Sequence, residues 1–469
     1  MSAAIKAPKL QRNRNINMLE GSIAKNMLRF ALPVILTGVL QNLYNTADTI
    51  VVGNFGGKSA LASVGASTTT TSIVVNVALQ IFIGMNIILA RQLGSKDDSG
   101  ARTTCRTGYT TSLIMGIVLL AVGQIVAVPL LNLTKCPESV IAGAETYLRI
   151  YFCGTPALMF NNYAASALRM SGDSRSPFIY LSISGVANVI FNLVFVIIFG
   201  NPVVGVALAT ILAMYISSVQ FALHLMRLEG PVRLEPFKLG FHLPTFLKIV
   251  RYGIPSCISS ATFSLTNLII QPAINAFDEI GISGNAASAS IESYLYSITA
   301  SFNSAVVSFM GQNIGAKNRE RTVKVLKTGY LIAISMMAVY TVLVIGLGRR
   351  LLWLFIPGEV EAIEFAQLRL TFIMSASVIN GIMNVNSGAL QAYGFTMGQM
   401  MSNLVGVCLF RIVWMFAIYH PICAAQNVVG IPWLLWLCYP VSWTMTAIGV
   451  FVIVVILTRK YIKGKEFKL

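Results

Sequence analysis

The sequence predicts an all-α polytopic membrane protein of twelve transmembrane helices, arranged as two six-helix bundles related by a pseudo-twofold axis along the membrane normal. Three observations predict it: the composition, the spacing of apolar runs, and an internal repeat. Of 469 residues, 55% are hydrophobic and 11% are charged, and the mean hydropathy is +0.72. A soluble domain carries about 25% charged residues. This chain has too few to cover so much apolar sequence, whereas lipid tails can replace a polar exterior.

The spans follow in order, since an apolar run of about 20 residues crosses a bilayer as a helix. Residues 30–52 give the first. Residues 59–90 carry no charge and give a tilted second. Residues 107–134 and 145–168 give the third and fourth. Residues 176–226 contain no Asp, Glu, Lys or Arg, and Gly200-Asn201-Pro202 splits them into the fifth and sixth. Residues 252–277, 284–311 and 328–348 give the seventh to ninth. Residues 370–458 hold one charge, Arg411, and three more spans, with breaks near Tyr393-Gly394 and residues 420–430.

The connections carry the basic residues. With the N-terminus inside, the inner segments hold 27 Lys and Arg and the outer ones four, Lys58, Lys135, Arg349 and Arg350. Positive residues stay cytoplasmic, so both termini are expected there, in the cell inner membrane. The net charge of +17 is thus a topology signal, and no nucleic-acid partner is expected. Residues 1–29 are polar and basic with no apolar core, so the first span is expected to double as the targeting signal.

The two halves repeat at an offset of about 222 residues. Arg29-Phe30-Ala31-Leu32-Pro33 answers Arg251-Tyr252-Gly253-Ile254-Pro255. Gln92-Leu93-Gly94-Ser95-Lys96 answers Asn313-Ile314-Gly315-Ala316-Lys317, and Leu148-Arg149-Ile150 answers Leu368-Arg369-Leu370. Six helices separate matching points, so both halves enter the membrane in the same direction. Parallel repeats of this kind hold substrate between the halves and rock to alternate access. The expected organisation is a cytoplasmic segment 1–29, an N-lobe 30–227, a linker 228–243, a C-lobe 244–458 and a cytoplasmic tail 459–469.

Those motifs, with Tyr44-Asn45-Thr46-Ala47-Asp48-Thr49-Ile50-Val51-Val52-Gly53 and Gly311-Gln312-Asn313-Ile314-Gly315-Ala316-Lys317, resemble the multidrug and toxic compound extrusion (MATE) family over roughly residues 20–460. The resemblance implies a V shape around a central cavity. It also implies secondary active efflux of amphiphilic, often cationic, small molecules in exchange for H+ or Na+, with no cofactor. Membrane lipids are the surroundings, and a monomer is expected.

Of seventeen acidic residues, Asp48 and Glu292 fall deep inside spans. A charge in hydrocarbon is costly enough to mark a functional candidate. A buried carboxylate can take up a proton or a cation and release it when its surroundings change. Asn188 and Asn192 share one face of the fifth span, being four residues apart. The family's N-lobe cation site uses a first-span Asp, a fifth-span Asn with an acid four residues on, and a sixth-span Thr. Asp48, Asn188 and Thr210 match it, and Asn192 stands where many relatives carry a second Asp. Apart from Na+ at Asp48, no metal ion is expected. Asp48 aligns with Ile270, so coupling is expected in the N-lobe alone.

Glu292 can meet a cationic substrate, carry a proton, or form a structural ion pair with Arg411. Tyr44, Tyr163, Tyr294, Tyr296 and Met383 are candidate substrate contacts, since aromatics and Met suit varied ligands. Each can equally be a packing or lipid-facing residue.

Other chemistries fail on spacing. The segment Gly53-Asn54-Phe55-Gly56-Gly57-Lys58-Ser59 follows a membrane helix, and the phosphate-loop pattern would need glycine where Val52 stands. The seven cysteines form no CxxC pair, and His224, His242 and His420 are scattered. No catalytic pair converges, so an enzyme is not expected. The competing reading is a flippase for lipid-linked precursors.

Overall fold

The computed structural model describes residues 15–133 and 136–464, and among these all regular structure is helical. Nine helices among the described residues are long and apolar enough to cross a membrane. The pair Val360–Ser375 and Ser377–Ala392, bent by 46°, makes a tenth span in sequence terms. Glu138–Phe152 with Thr155–Met170 is a second broken span, interrupted at Cys153-Gly154. The long helix Asp278–Gly315 completes the twelve, its Ser, Asn and Gly content lowering its hydropathy.

In order, the first span is Ile23–Gly57 and the second continues to Gly94, with Gly57 as the left-handed residue between them. The third is Asp98–Leu133, the fourth the broken pair 138–170, the fifth Arg175–Phe199 and the sixth Pro202–Arg227. The seventh is Leu243–Asn275, the eighth Asp278–Gly315, the ninth Arg319–Phe355 and the tenth the bent pair 360–392. The eleventh is Thr396–Ala425 and the twelfth Pro432–Ile462. The helices exceed the apolar runs because polar turns at the membrane surface continue them. The tails expected at 1–29 and 459–469 lie partly outside the described residues.

The Gly200-Asn201-Pro202 break works as its residue types dictate. Gly200 ends the fifth span at φ 58°, which a side chain would strain. Asn201 accepts from the N–H groups of Val203 and Val204 at 3.1 and 3.3 Å, and Pro202 opens the sixth span, where no N–H is missed.

The repeat has a structural echo. Lys96 and Lys317, matched in sequence, both take φ 57° after the second and eighth spans. Those two spans meet across the lobe boundary through equivalent glycines. A Cβ on Gly94 would lie 1.9 Å from the Gln312 carbonyl oxygen, and one on Gly315 would lie 2.0 Å from that of Arg91. Gln312 also donates to the Met170 carbonyl at 2.7 Å, and Arg91 to that of Ala392. These contacts lie at the end of the molecule that carries the basic loops.

A short N-terminal strap crosses the same end. The Ile16 N–H donates to Gly172 of the N-lobe at 3.1 Å, while the Met18 carbonyl accepts from Asn313 of the C-lobe at 3.1 Å. The first span then joins both lobes. Near its start Phe30 meets Phe309 edge-on at 5.8 Å, inside the C-lobe core. Near its end Val51 and Val52 pack with Tyr147, Val196 and Val206 of the N-lobe. Outward faces of the third, fifth and ninth spans expose Ile117, Ile125, Ile197 and Val342, as lipid contact requires.

Candidate functional site

Two polar cavities lie between the helices, one in each lobe. The N-lobe cavity, about 620 Å³, is walled by the first, second, fourth, fifth and sixth spans. The C-lobe cavity, about 530 Å³, is walled by the seventh, eighth, tenth and eleventh spans with a strip of the second. Asn76 borders both.

Asp48 lines the N-lobe cavity with Tyr44, Asn188 and Thr210. Its carboxylate accepts a hydrogen bond from the side-chain amide of Asn192, which is fully buried. The second N–H of that amide reaches the Asn188 oxygen at 3.4 Å, and Asn188 donates onward to Thr210 at 3.4 Å. Thr210 gives its own proton to the Val206 carbonyl at 2.9 Å. Both amide N–H groups of Asn192 and the Thr210 hydroxyl are therefore spent, and the Asn192 oxygen is buried without a partner among the described residues. Tyr44 holds the first span against the fifth by donating to the Ser182 carbonyl at 3.1 Å.

This geometry leaves carboxylate, amide and hydroxyl oxygens around one anionic group. A proton needs only the carboxylate. Na+, a hard cation, would use the oxygens together. Among the described residues no group of three or more His, Cys, Asp or Glu gathers at one point, so a multi-acid metal centre is not built.

Glu292 requires a correction. Its ion-pair partner is Arg369 and not Arg411, and its other oxygen accepts from Tyr296. Arg369 also donates to Ser288 at 2.7 Å and lies over the Trp436 ring at 5.3 Å. The reason is where the tenth span starts. Its helix begins at Val360, ten residues before the apolar run, which carries Arg369 into the lobe beside the eighth span. Arg411 is instead held by Ser442 at 3.1 Å and by the Tyr439 ring at 4.0 Å.

Of the other candidates, Tyr44 lines the N-lobe cavity, and Tyr296 and Met383 line the C-lobe one. Tyr163 does not: it is buried in the N-lobe core against Tyr109 and Phe160. Tyr294 borders neither cavity. Sequence reasoning missed Tyr147, which adjoins Asp48 and Thr210. It also missed Arg169, on the N-lobe cavity wall, and the many Asn and Gln of the C-lobe wall. Amides give no periodic or charge signal, so hydropathy passes over them.

The MatE sequence-family profile matches residues 33–194 and again residues 255–416, two starts 222 residues apart. The chain belongs to the MatE family. This MatE chain is 28% identical over 399 residues to YpnP, a probable multidrug resistance protein of Bacillus subtilis, covering 84% of this chain and 87% of that one. A solved MATE structure in complex with MaL6 superposes with a TM-score of 0.88 at 19% identity, covering 96% of this chain and 100% of that chain. An outward-facing MATE family transporter of the MOP superfamily gives 0.86 at 19% identity, covering 96% and 99%. The MatE fold is thus shared over nearly the whole chain, and MatE proteins are membrane transporters of the multidrug-efflux type, not enzymes.

Proposed function

We propose that this MatE protein is a secondary active exporter of amphiphilic small molecules, driven by inward H+ or Na+ through an alternating-access cycle. It works as a monomer in the cytoplasmic membrane with both termini inside. Lobes 30–227 and 244–458 are the moving parts, and 228–243 is the linker. The observation that carries the reading is Asp48: a carboxylate on a cavity wall, tied by Asn192 to the fifth span and through Asn188 to Thr210 of the sixth.

The first span supports a coupling route, since it packs on the C-lobe near Phe30 and bears Asp48 in the N-lobe. A proton or Na+ that neutralises Asp48 changes the hold of the fifth span on the first, and the first span touches both lobes. Tight contact of the second and eighth spans at the basic-loop end supports an outward-open state, which likeness to an outward-facing relative also favours.

The test is efflux of a dye from proteoliposomes with a proton or a sodium gradient imposed one at a time. Efflux should follow one gradient and vanish in Asp48→Asn. Full gradient-driven transport by that variant rejects the coupling. Movement of a lipid-linked precursor that ignores both gradients would favour the flippase.

A further inference from the structure

The C-lobe cavity carries a charge that the proposed antiport does not use. Arg411 lies on its wall and is 1% exposed. Its Nε donates to Ser442, and its Nη2 is buried with no hydrogen-bond partner among the described residues. Glu292, the buried acid of the same lobe, is taken by Arg369 and Tyr296. Among the described residues no Asp or Glu lines the cavity. Ser256, Ser259 and Asn403, also on the wall, each hold a buried side-chain oxygen without a partner.

The backbone is unusual at the same place. Phe410–Val413, which bears Arg411, is one α-helical turn between π-helical segments Leu404–Leu409 and Trp414–Tyr419. Such wide turns are rare and concentrate at functional sites.

A guanidinium buried without an anion is strongly unfavourable. A carboxylate, sulfonate or phosphate would complete it with charge-assisted hydrogen bonds, and the two serine hydroxyls can donate to the same group. An organic cation would meet repulsion instead. In the N-lobe cavity Asp48 and Arg169 are opposite in sign, so the positive charge at Arg411 is left over. A volume of about 530 Å³ suits a drug-sized molecule.

We infer that the C-lobe cavity is a substrate site for amphiphilic organic anions, with Arg411 selecting the charge. The inference rests on the exporter reading above and departs from the organic cations that the family resemblance implies. The amide-rich wall supplies neutral hydrogen bonds to the polar part of such a molecule, and Phe263 and Met383 supply apolar contact.

The test uses the purified full-length protein with carboxyfluorescein as anion and ethidium as cation. Binding is read by fluorescence anisotropy. Carboxyfluorescein should bind saturably and more tightly than ethidium. Arg411→Gln should weaken it by about tenfold or more, as loss of a charged hydrogen bond does, and Arg411→Lys should keep the preference for the anion. Ser442→Asp leaves Arg411 in place and sets a carboxylate where the hydroxyl now accepts from Nε at 3.1 Å, so it should weaken carboxyfluorescein and admit ethidium. It keeps the test sound if Arg411→Gln misfolds. Tighter ethidium binding by the unmodified protein, no carboxyfluorescein binding, or binding unchanged in Ser442→Asp overturns the inference. Transport in proteoliposomes separates the two proposals. Asp48-dependent ethidium efflux without Arg411-dependent carboxyfluorescein binding upholds the exporter and rejects the anion site. Carboxyfluorescein bound through Arg411 but moved by neither gradient does the reverse.

Discussion

Asn192, one helical turn beyond Asn188, donates its side-chain amide to the carboxylate of Asp48, and so joins the fifth span to the first. The amide is neutral, so Asp48 is the one acid at the junction. Asp48→Asn should preserve size and packing but abolish gradient-driven efflux, while the protein keeps its melting temperature in detergent to within a few degrees.

Asn192→Asp tests the missing second acid. Two carboxylates so close cannot both ionise without a counter-ion. The variant should therefore hold one cation more firmly, gain sodium dependence, and shift its pH–transport profile to higher pH. An unchanged profile under sodium and proton gradients would show that position 192 does not set ion choice.

The pair Glu292–Arg369 is buried on both sides, with side chains 4% and 6% exposed. Removing one partner strands the other charge. Glu292→Gln should cost about 3–5 kcal/mol of stability. The double change Glu292→Gln with Arg369→Gln should recover much of it. Thermal unfolding of the single and double variants in one detergent checks this, and equal losses in both would contradict it.

Gly94 and Gly315 each leave no room for a methyl group against the opposite lobe's backbone. Gly94→Ala or Gly315→Ala should open the contact between the second and eighth spans, at an overpacking cost of about 1–3 kcal/mol. A cysteine introduced as Ser260→Cys, on the C-lobe cavity wall, should then label faster from the basic-loop side. Unchanged labelling would mean that this contact is not the closed gate.

Asp173, in the loop between the fourth and fifth spans, accepts from the N–H groups of Arg175 and Ser176 at 3.0 and 2.9 Å. His224 stands 3.6 Å away. Burial pushes this carboxyl up, but the nearby His224 and the hydrogen bonds from Ser176 outweigh it and hold it below its ordinary range. A lowered folded value means stabilisation that is present above the unfolded value and lost as pH falls through the folded one. Stability should thus decline below about pH 4. Asp173→Asn should lose that acid-dependent part. A variant with the same acid profile as the parent would refute the assignment.

Much of the fold was legible because it is written locally. Apolar runs report the free energy of placing each residue in lipid, so the twelve spans and the Gly200-Asn201-Pro202 break needed no partner to be seen. Asp48 stood out for the same reason, as a charge among apolar neighbours. The Arg29 and Arg251 openings and the glycines at 94 and 315 declared the repeat in sequence alone.

Partner choice was not local. Glu292 could have met Arg411 or Arg369, and the answer depended on a helix that starts ten residues ahead of its apolar run. Which amide meets Asp48 depended on the rotation of the fifth span, which brings Asn192 to the carboxylate and Asn188 to Thr210. That Arg411 meets no carboxylate among the described residues emerges only when neighbouring helices are in place. The sequence by itself determined what crosses the membrane and how often, because solvation acts on each segment alone. Only the tertiary structure decided which buried charges are satisfied, because electrostatic pairing depends on distances between segments far apart in the chain.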